Sequence, residues 1–224
     1  MGTITKLIKR WTRGLIPSRP SPAPFPGSAE YWEQRYARGG NSGAGSYREL
    51  AEFKAEFLNQ LVQQNQFQSV IEFGCGDGNQ LSLASYPRYV GYDVSEQAVA
   101  LCRKRFRGDA TKRFESTANT SAQTADLALS LDVVYHLVED QVFHQYMARL
   151  FDSAQRMVVV YASNYDDTFE VPSQHVRHRQ FTRWIAEHRS QWKLTQHVPN
   201  RYPYQGDNKH SSFADFYVFV PVNG

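Results

Sequence analysis

The chain has 224 residues, 41% of them hydrophobic and 21% charged, with a net charge of +3. That length suits one domain whose core buries well over half of its surface, and the composition is that of an ordinary globular protein. Two cysteines, Cys75 and Cys102, exclude a disulfide framework and make a reducing, cytoplasmic setting the expectation, while no apolar run reaches the roughly 18 residues of a membrane span.

Residues 1–29 carry Lys6, Lys9, Arg10, Arg13 and Arg19 and no acid, so the rest of the chain is slightly acidic. That balance argues against a large nucleic-acid footprint and leaves DNA off the list of expected partners. Ile4, Leu7, Ile8, Trp11 and Leu15 recur at helical spacing between the basic residues. Two readings stay open for this arm: an amphipathic helix making peripheral contact with the inner membrane face through residues 4–16, or a frayed N-terminus. Pro17 to Gly27 holds five prolines and reads as a stiff linker. The folded body, 30–224, begins at the aromatic run Tyr31 to Tyr36 and continues into the polar, glycine-rich stretch Gly39 to Tyr47. Residues 30–47 are expected to form a cap or flap over a site, with a plain linker as the alternative. A long helix follows, with Leu50, Phe53, Phe57, Leu58, Leu61 and Val62 along one face.

The central stretch is Val70-Ile71-Glu72-Phe73-Gly74-Cys75-Gly76-Asp77-Gly78-Asn79, followed by Tyr89-Val90-Gly91-Tyr92-Asp93-Val94-Ser95. A short apolar run enters a glycine-dense turn, a helical stretch is expected next, and a second apolar run ends in an acid: the pattern of a nucleoside-binding β-α-β unit. The turn is G-x-G-x-G rather than G-x-G-x-x-G, and no basic residue stands in it to meet a phosphate. Beyond it, Ser95 caps an expected helix Glu96 to Phe106, with Ala98, Val99, Leu101 and Cys102 inward. A third strand is expected near Lys112 to Thr117, a fourth over Ala125 to Asp132 and a fifth over Met157 to Ala162. Helices are expected over Glu139 to Phe151 and Phe181 to Arg189, and Trp192 to Val198 with Phe213 to Val220 reads as a closing antiparallel pair.

The glycine turn, the preceding Glu72 and the acid Asp93 at the end of the second strand resemble the class I S-adenosylmethionine-dependent methyltransferases. The resemblance covers about residues 47–220 and implies a Rossmann-like α/β fold: a seven-stranded, mostly parallel sheet with an antiparallel last strand and helices on both faces. It implies S-adenosylmethionine as cofactor, held by Glu72, Gly74, Cys75, Gly76, Asp77, Gly78 and Asn79 around the methionine part. Asp93 and Val94 would then hold the ribose, with Ser130 and Leu131 near the sulfur. The stretches Gly39 to Tyr47, His175 to Trp184 and Ser211 to Tyr217 resemble bacterial enzymes of polysaccharide and sugar modification. The implied reaction is O-methylation of a saccharide hydroxyl.

For the acceptor's proton the candidate base is His136, four residues after Asp132; if the segment is helical the two share a face and the carboxylate orients the imidazole. A purely packing role for His136 stays open. The basic run His175 to Trp184 suggests contacts to a polar acceptor, and a solvated helix start is its alternative. Asp132 and His178 are expected to support His136 in catalysis or to bind a metal with it: the three also resemble the divalent-metal site of small-RNA 2′-O-methyltransferases, which would take Mg²⁺ or Mn²⁺. Tyr135 stands where that family has a second acid, which weakens the metal reading. An RNA 2′-O-methyltransferase and a non-catalytic cofactor-binding scaffold are the alternatives to sugar methylation.

Overall fold

A computed structural model describes residues 24–118, 123–167 and 173–222; the basic arm and most of the proline linker lie outside these residues. Seven strands form one sheet: β1 (Val70–Phe73), β2 (Tyr89–Asp93), β3 (Lys112–Ser116), β4 (Ala125–Leu131), β5 (Ala154–Ala162), β6 (Trp192–Val198) and β7 (Asp215–Pro221). Their order is β3-β2-β1-β4-β5-β7-β6, with β7 antiparallel to both neighbours and β1 to β5 parallel. β1 and β4 are buried along almost their whole length, as strands covered on both faces must be, which is why they read as apolar runs. β6 is one edge, opposite β3: five of its seven residues are exposed, Lys193 and His197 among them, and its pairing slips between Leu194 and Gln196. Charge and a bulge at an edge discourage further strand addition.

The described residues form five α-helices: α1 (Ser28–Ala37), α2 (Arg48–Gln64), α3 (Glu96–Arg105), α4 (Asp140–Asp152) and α5 (Phe181–His188), with α1 lying against α3. Ser95 does cap α3, its Oγ accepting from Ala98 N at 3.2 Å. Leu101, expected inward, is exposed, so α3 buries the narrower stripe Ala98, Val99 and Cys102. The helix expected after the glycine turn is absent; only a 3₁₀ turn, Gln80–Leu83, joins β1 to β2. Pro87 stands just before β2 and bars a helix from running up to the strand. No described helix is long and apolar enough to cross a membrane.

α2 and the β6–β7 hairpin are clamped by aromatic rings. Phe216 lies 4.3 Å from Phe57, 4.7 Å from Tyr161 and 5.6 Å from Phe53 between ring centroids, and is fully buried. Phe216→Ala should cost about 3–5 kcal/mol in chemical denaturation, whereas Leu194→Ala on the exposed edge should stay within about 0.5 kcal/mol.

Candidate functional site

Beyond the carboxyl ends of β1, β2 and β4, where the strand order reverses, lies a cavity of about 450 Å³. Its floor is the turn after β1. Gly74, Gly76 and Gly78 all have positive φ, at 89°, 57° and 74°, a region that costs a side-chain-bearing residue about 1–2 kcal/mol. A Cβ on Gly74 would meet Val133 at 2.3 Å, and one on Gly76 would meet Ser42 Oγ at 2.3 Å. The turn is fixed from below by Asp93, whose Oδ2 accepts from Gly76 N and Oδ1 from Ser95 N, both at 2.9 Å. Burial pushes the Asp93 carboxyl up to about 6, against the pull of those backbone donors. Glu72 is buried behind it, accepts from Tyr89 Oη at 2.6 Å and is pushed up to about 7 by burial.

From above the turn is covered by residues 39–47. Asp77 N donates to Ser42 Oγ at 2.9 Å, Ser42 N and Tyr47 Oη donate to Asp77 Oδ2 at 3.1 and 2.6 Å, and Asn79 Nδ2 donates to Ser46 O at 2.7 Å. Burial works against ionising Asp77, yet the donors led by Tyr47 hold its carboxyl below the ordinary range. Helix α1 closes the next side with Trp32 and Tyr36, its start pinned where Ser28 N and Oγ donate to Glu139 at 2.9 and 2.6 Å.

The residues expected to hold cofactor therefore fall into two groups. Glu72, Gly74, Cys75, Gly76, Asp93, Val94 and Leu131 line the cavity. Asp77, Gly78, Asn79 and Ser130 do not: Asp77 and Asn79 anchor the overlying loop, Gly78 packs toward Phe106 and Cys102, and Ser130 is bonded by Tyr146 Oη at 2.7 Å. Lining residues not anticipated from sequence include Lys54, Thr117, Tyr146 and Arg149.

His136 lines the cavity, but the expected pairing with Asp132 does not form. The backbone leaves β4 with Asp132 at φ 59°, and a 3₁₀ turn, Val134–His136, replaces the helix that would have put both on one face. Asp132 instead accepts from Lys54 Nζ at 2.5 Å and from Tyr135 Oη at 2.8 Å. His136 Nδ1 lies 2.9 Å from His175 O; a carbonyl only accepts, so Nδ1 carries the proton and Nε2 keeps a lone pair. Its ring stacks on His175 and meets the edge of Trp32, and burial pushes it down to about 4, keeping it neutral. His178 stands apart, its Nδ1 2.6 Å from Ser163 Oγ. Asp132, His136 and His178 are thus not drawn into one ligand set, and among the described residues no group of three His, Cys, Asp or Glu side chains could hold a metal ion. The basic run is also committed elsewhere: Arg177 and Arg179 bond to carbonyls at residues 137–138 and to Asp140, and Arg183 to Asp166.

The cavity fits a nucleoside with a cationic amino-acid arm. Three carboxylates line it, Glu72, Asp93 and Asp132, and Gln80 Oε1 is buried with no hydrogen-bond partner among the described residues while its Nε2 donates to Ala51 O. A free acceptor beside acids suits an ammonium and a ribose diol.

Residues 45–210 match the family described as a methyltransferase domain. No curated protein sequence matches. The fold is similar to N-methyltransferase NodS from Bradyrhizobium japonicum WM9, solved with S-adenosyl-L-homocysteine, at 14% identity and TM-score 0.65 over 87% of this chain and 98% of that one. It is also similar to magnesium protoporphyrin IX methyltransferase (ChlM) from Synechocystis PCC 6803, at 13% identity and TM-score 0.61 over 86% and 97%. A third similarity is to the small RNA methyltransferase HEN1, at 16% identity and TM-score 0.57 over 80% of this chain and 26% of that one. The chain belongs to the methyltransferase domain family, on the seven-stranded fold of the class I S-adenosylmethionine-dependent methyltransferases.

Proposed function

We propose that the protein is an O-methyltransferase that methylates a saccharide hydroxyl, with His136 taking the hydroxyl proton. The observation that carries the reading is the state of His136: neutral, fixed by His175 O through Nδ1, and lining the cavity with Nε2 as an acceptor. When bound, S-adenosylmethionine supplies a sulfonium methyl group, which passes to the acceptor oxygen as the carbon–sulfur bond breaks and leaves S-adenosylhomocysteine. Asp93 would hold the ribose, the Gly74–Gly76 backbone and Gln80 the amino-acid arm, and the hydroxyl proton would move to His136 Nε2. Residues 39–47 would act as the cap that keeps water from the site, pinned through Asp77.

The sugar class is supported by aromatic rings near the ends of β5 and β7. Tyr165 and Tyr204 are about half exposed, and Tyr165 lies 4.7 Å from His178, which in turn meets Phe213. Flat rings beside polar groups suit sugar faces. The RNA reading draws on the HEN1 fold, but Asp132, His136 and His178 do not converge here.

Transfer of labelled methyl from S-adenosylmethionine into separated glycan, RNA and small-molecule fractions tests the acceptor class; label should enter the glycan or lipid-linked saccharide fraction and be indifferent to chelator. Label confined to RNA would replace this reading. His136→Ala should lower kcat by roughly 10²–10⁴-fold. The same histidine should leave a stability signature. Its folded pKa of about 4 lies below the ordinary 6.5, so the stability it contributes is present above 6.5 and is lost as pH falls toward 4. Relative to His136→Asn, the wild type should lose on the order of 3 kcal/mol across that window in denaturant titrations. Comparing the two proteins cancels the opposite trend of Glu72 and Asp93, whose raised values favour the folded state as pH falls.

A further inference from the structure

Lys54 interrupts the apolar face of α2 between Leu50 and Leu58, and its side chain is 1% exposed. A lysine is almost never that deeply buried without a partner. The partner is Asp132, 2.5 Å away and itself 14% exposed, with the ammonium also 5.1 Å from the centre of the Tyr161 ring. A buried ion pair adds little to stability, because desolvation offsets the attraction, and apolar replacements are often neutral or better. The pair is held at further cost. Asp132 adopts a left-handed backbone conformation, and a Cβ on Gly45 would stand 2.8 Å from Asp132 Oδ2, so a side chain there would press on the carboxylate. These costs converge on a carboxylate that lines the cavity together with its lysine.

We propose that the Lys54–Asp132 pair sets the chemical class of the acceptor, presenting Asp132 as a hydrogen-bond acceptor without net charge that suits a neutral hydroxyl and disfavours an ammonium. A bare carboxylate at this place would attract a protonated amine. With Lys54 beside it, the two charges cancel at a distance, while the lone pairs not used by Lys54 and Tyr135 remain open to an O–H donor. Lys54 is a positioning and charge-setting residue; it acts through Asp132. The inference rests on the cavity holding the cofactor as read above.

Sinefungin, the cofactor analogue with an amine-bearing carbon in place of the methylated sulfonium, puts a cation where the methyl group would be. S-adenosylhomocysteine has nothing there. The ratio of their dissociation constants, measured by calorimetry, therefore reads the charge facing the acceptor. In the wild type sinefungin should bind within about threefold of S-adenosylhomocysteine. Lys54→Gln, which keeps a donor to Asp132, and Lys54→Met should each raise the preference for sinefungin by about tenfold or more, since the ligand's ammonium replaces the missing countercharge. Asp132→Asn and the double variant Lys54→Met/Asp132→Asn should stay at or below the wild-type ratio. An unchanged ratio in Lys54→Gln, or an equal rise in the double variant, would overturn the inference while leaving the cofactor reading intact. Failure of the wild type to bind S-adenosylhomocysteine would overturn that reading and this inference together.

Discussion

The site depends on one backbone turn held in a conformation that only glycine adopts easily. After β1 the chain passes through Gly74, Gly76 and Gly78 at positive φ, and two carboxylates on opposite sides keep it there. Asp93 fastens Gly76 N from the end of β2, and Asp77 fastens residues 42 and 47 from the cap. Neither acid is an independent feature: the first ties β2 to the turn, the second ties the turn to residues far upstream. The cavity exists because this turn leaves backbone, not side chains, at its floor, and because Ser42 occupies the space a Cβ at Gly76 would need.

Charge distribution in the cavity follows from burial. Glu72 and Asp93 are both pushed upward because the surroundings disfavour their ionised forms, and each is compensated by a donor within the fold, Tyr89 for one and backbone N–H groups for the other. Asp132 is matched by the buried ammonium of Lys54. His136 is kept neutral by the same burial. The result is a cavity rich in acceptors, in which a diol, an ammonium and a sulfonium find partners, in line with a methyl donor.

Much of this was legible in the sequence, because parallel strands buried on both faces read as apolar runs and the glycine turn has a physical reason for its spacing. Strands β1, β2, β4 and β6 fall where the patterning puts them, and Asp93 and the first two glycines reach the cavity. The errors arose where tertiary contacts override local rules. The pattern after the turn predicts a helix, but only a 3₁₀ turn forms before Pro87 and β2. Asp132 and His136 were paired by helical spacing, yet the left-handed residue at the end of β4 turns the carboxylate toward α2. Asp77 and Asn79 belong to the motif but bond the overlying loop, and Gly78 packs toward Phe106 and Cys102. Lys54 carries a signal of its own: it stands in an otherwise apolar stripe, and a charged residue at a core position calls for a buried partner.

The measurement that bears most directly on this account is calorimetric titration of S-adenosylhomocysteine into the wild type and into Asp93→Asn, with thermal unfolding of both as a check on folding. The account predicts binding to the wild type and a loss of about tenfold or more in the folded variant, because the acid that would hold the ribose has lost its charge. Equal affinity in the two proteins would contradict the placement of the nucleoside at the end of β2, and with it the reading of the cavity.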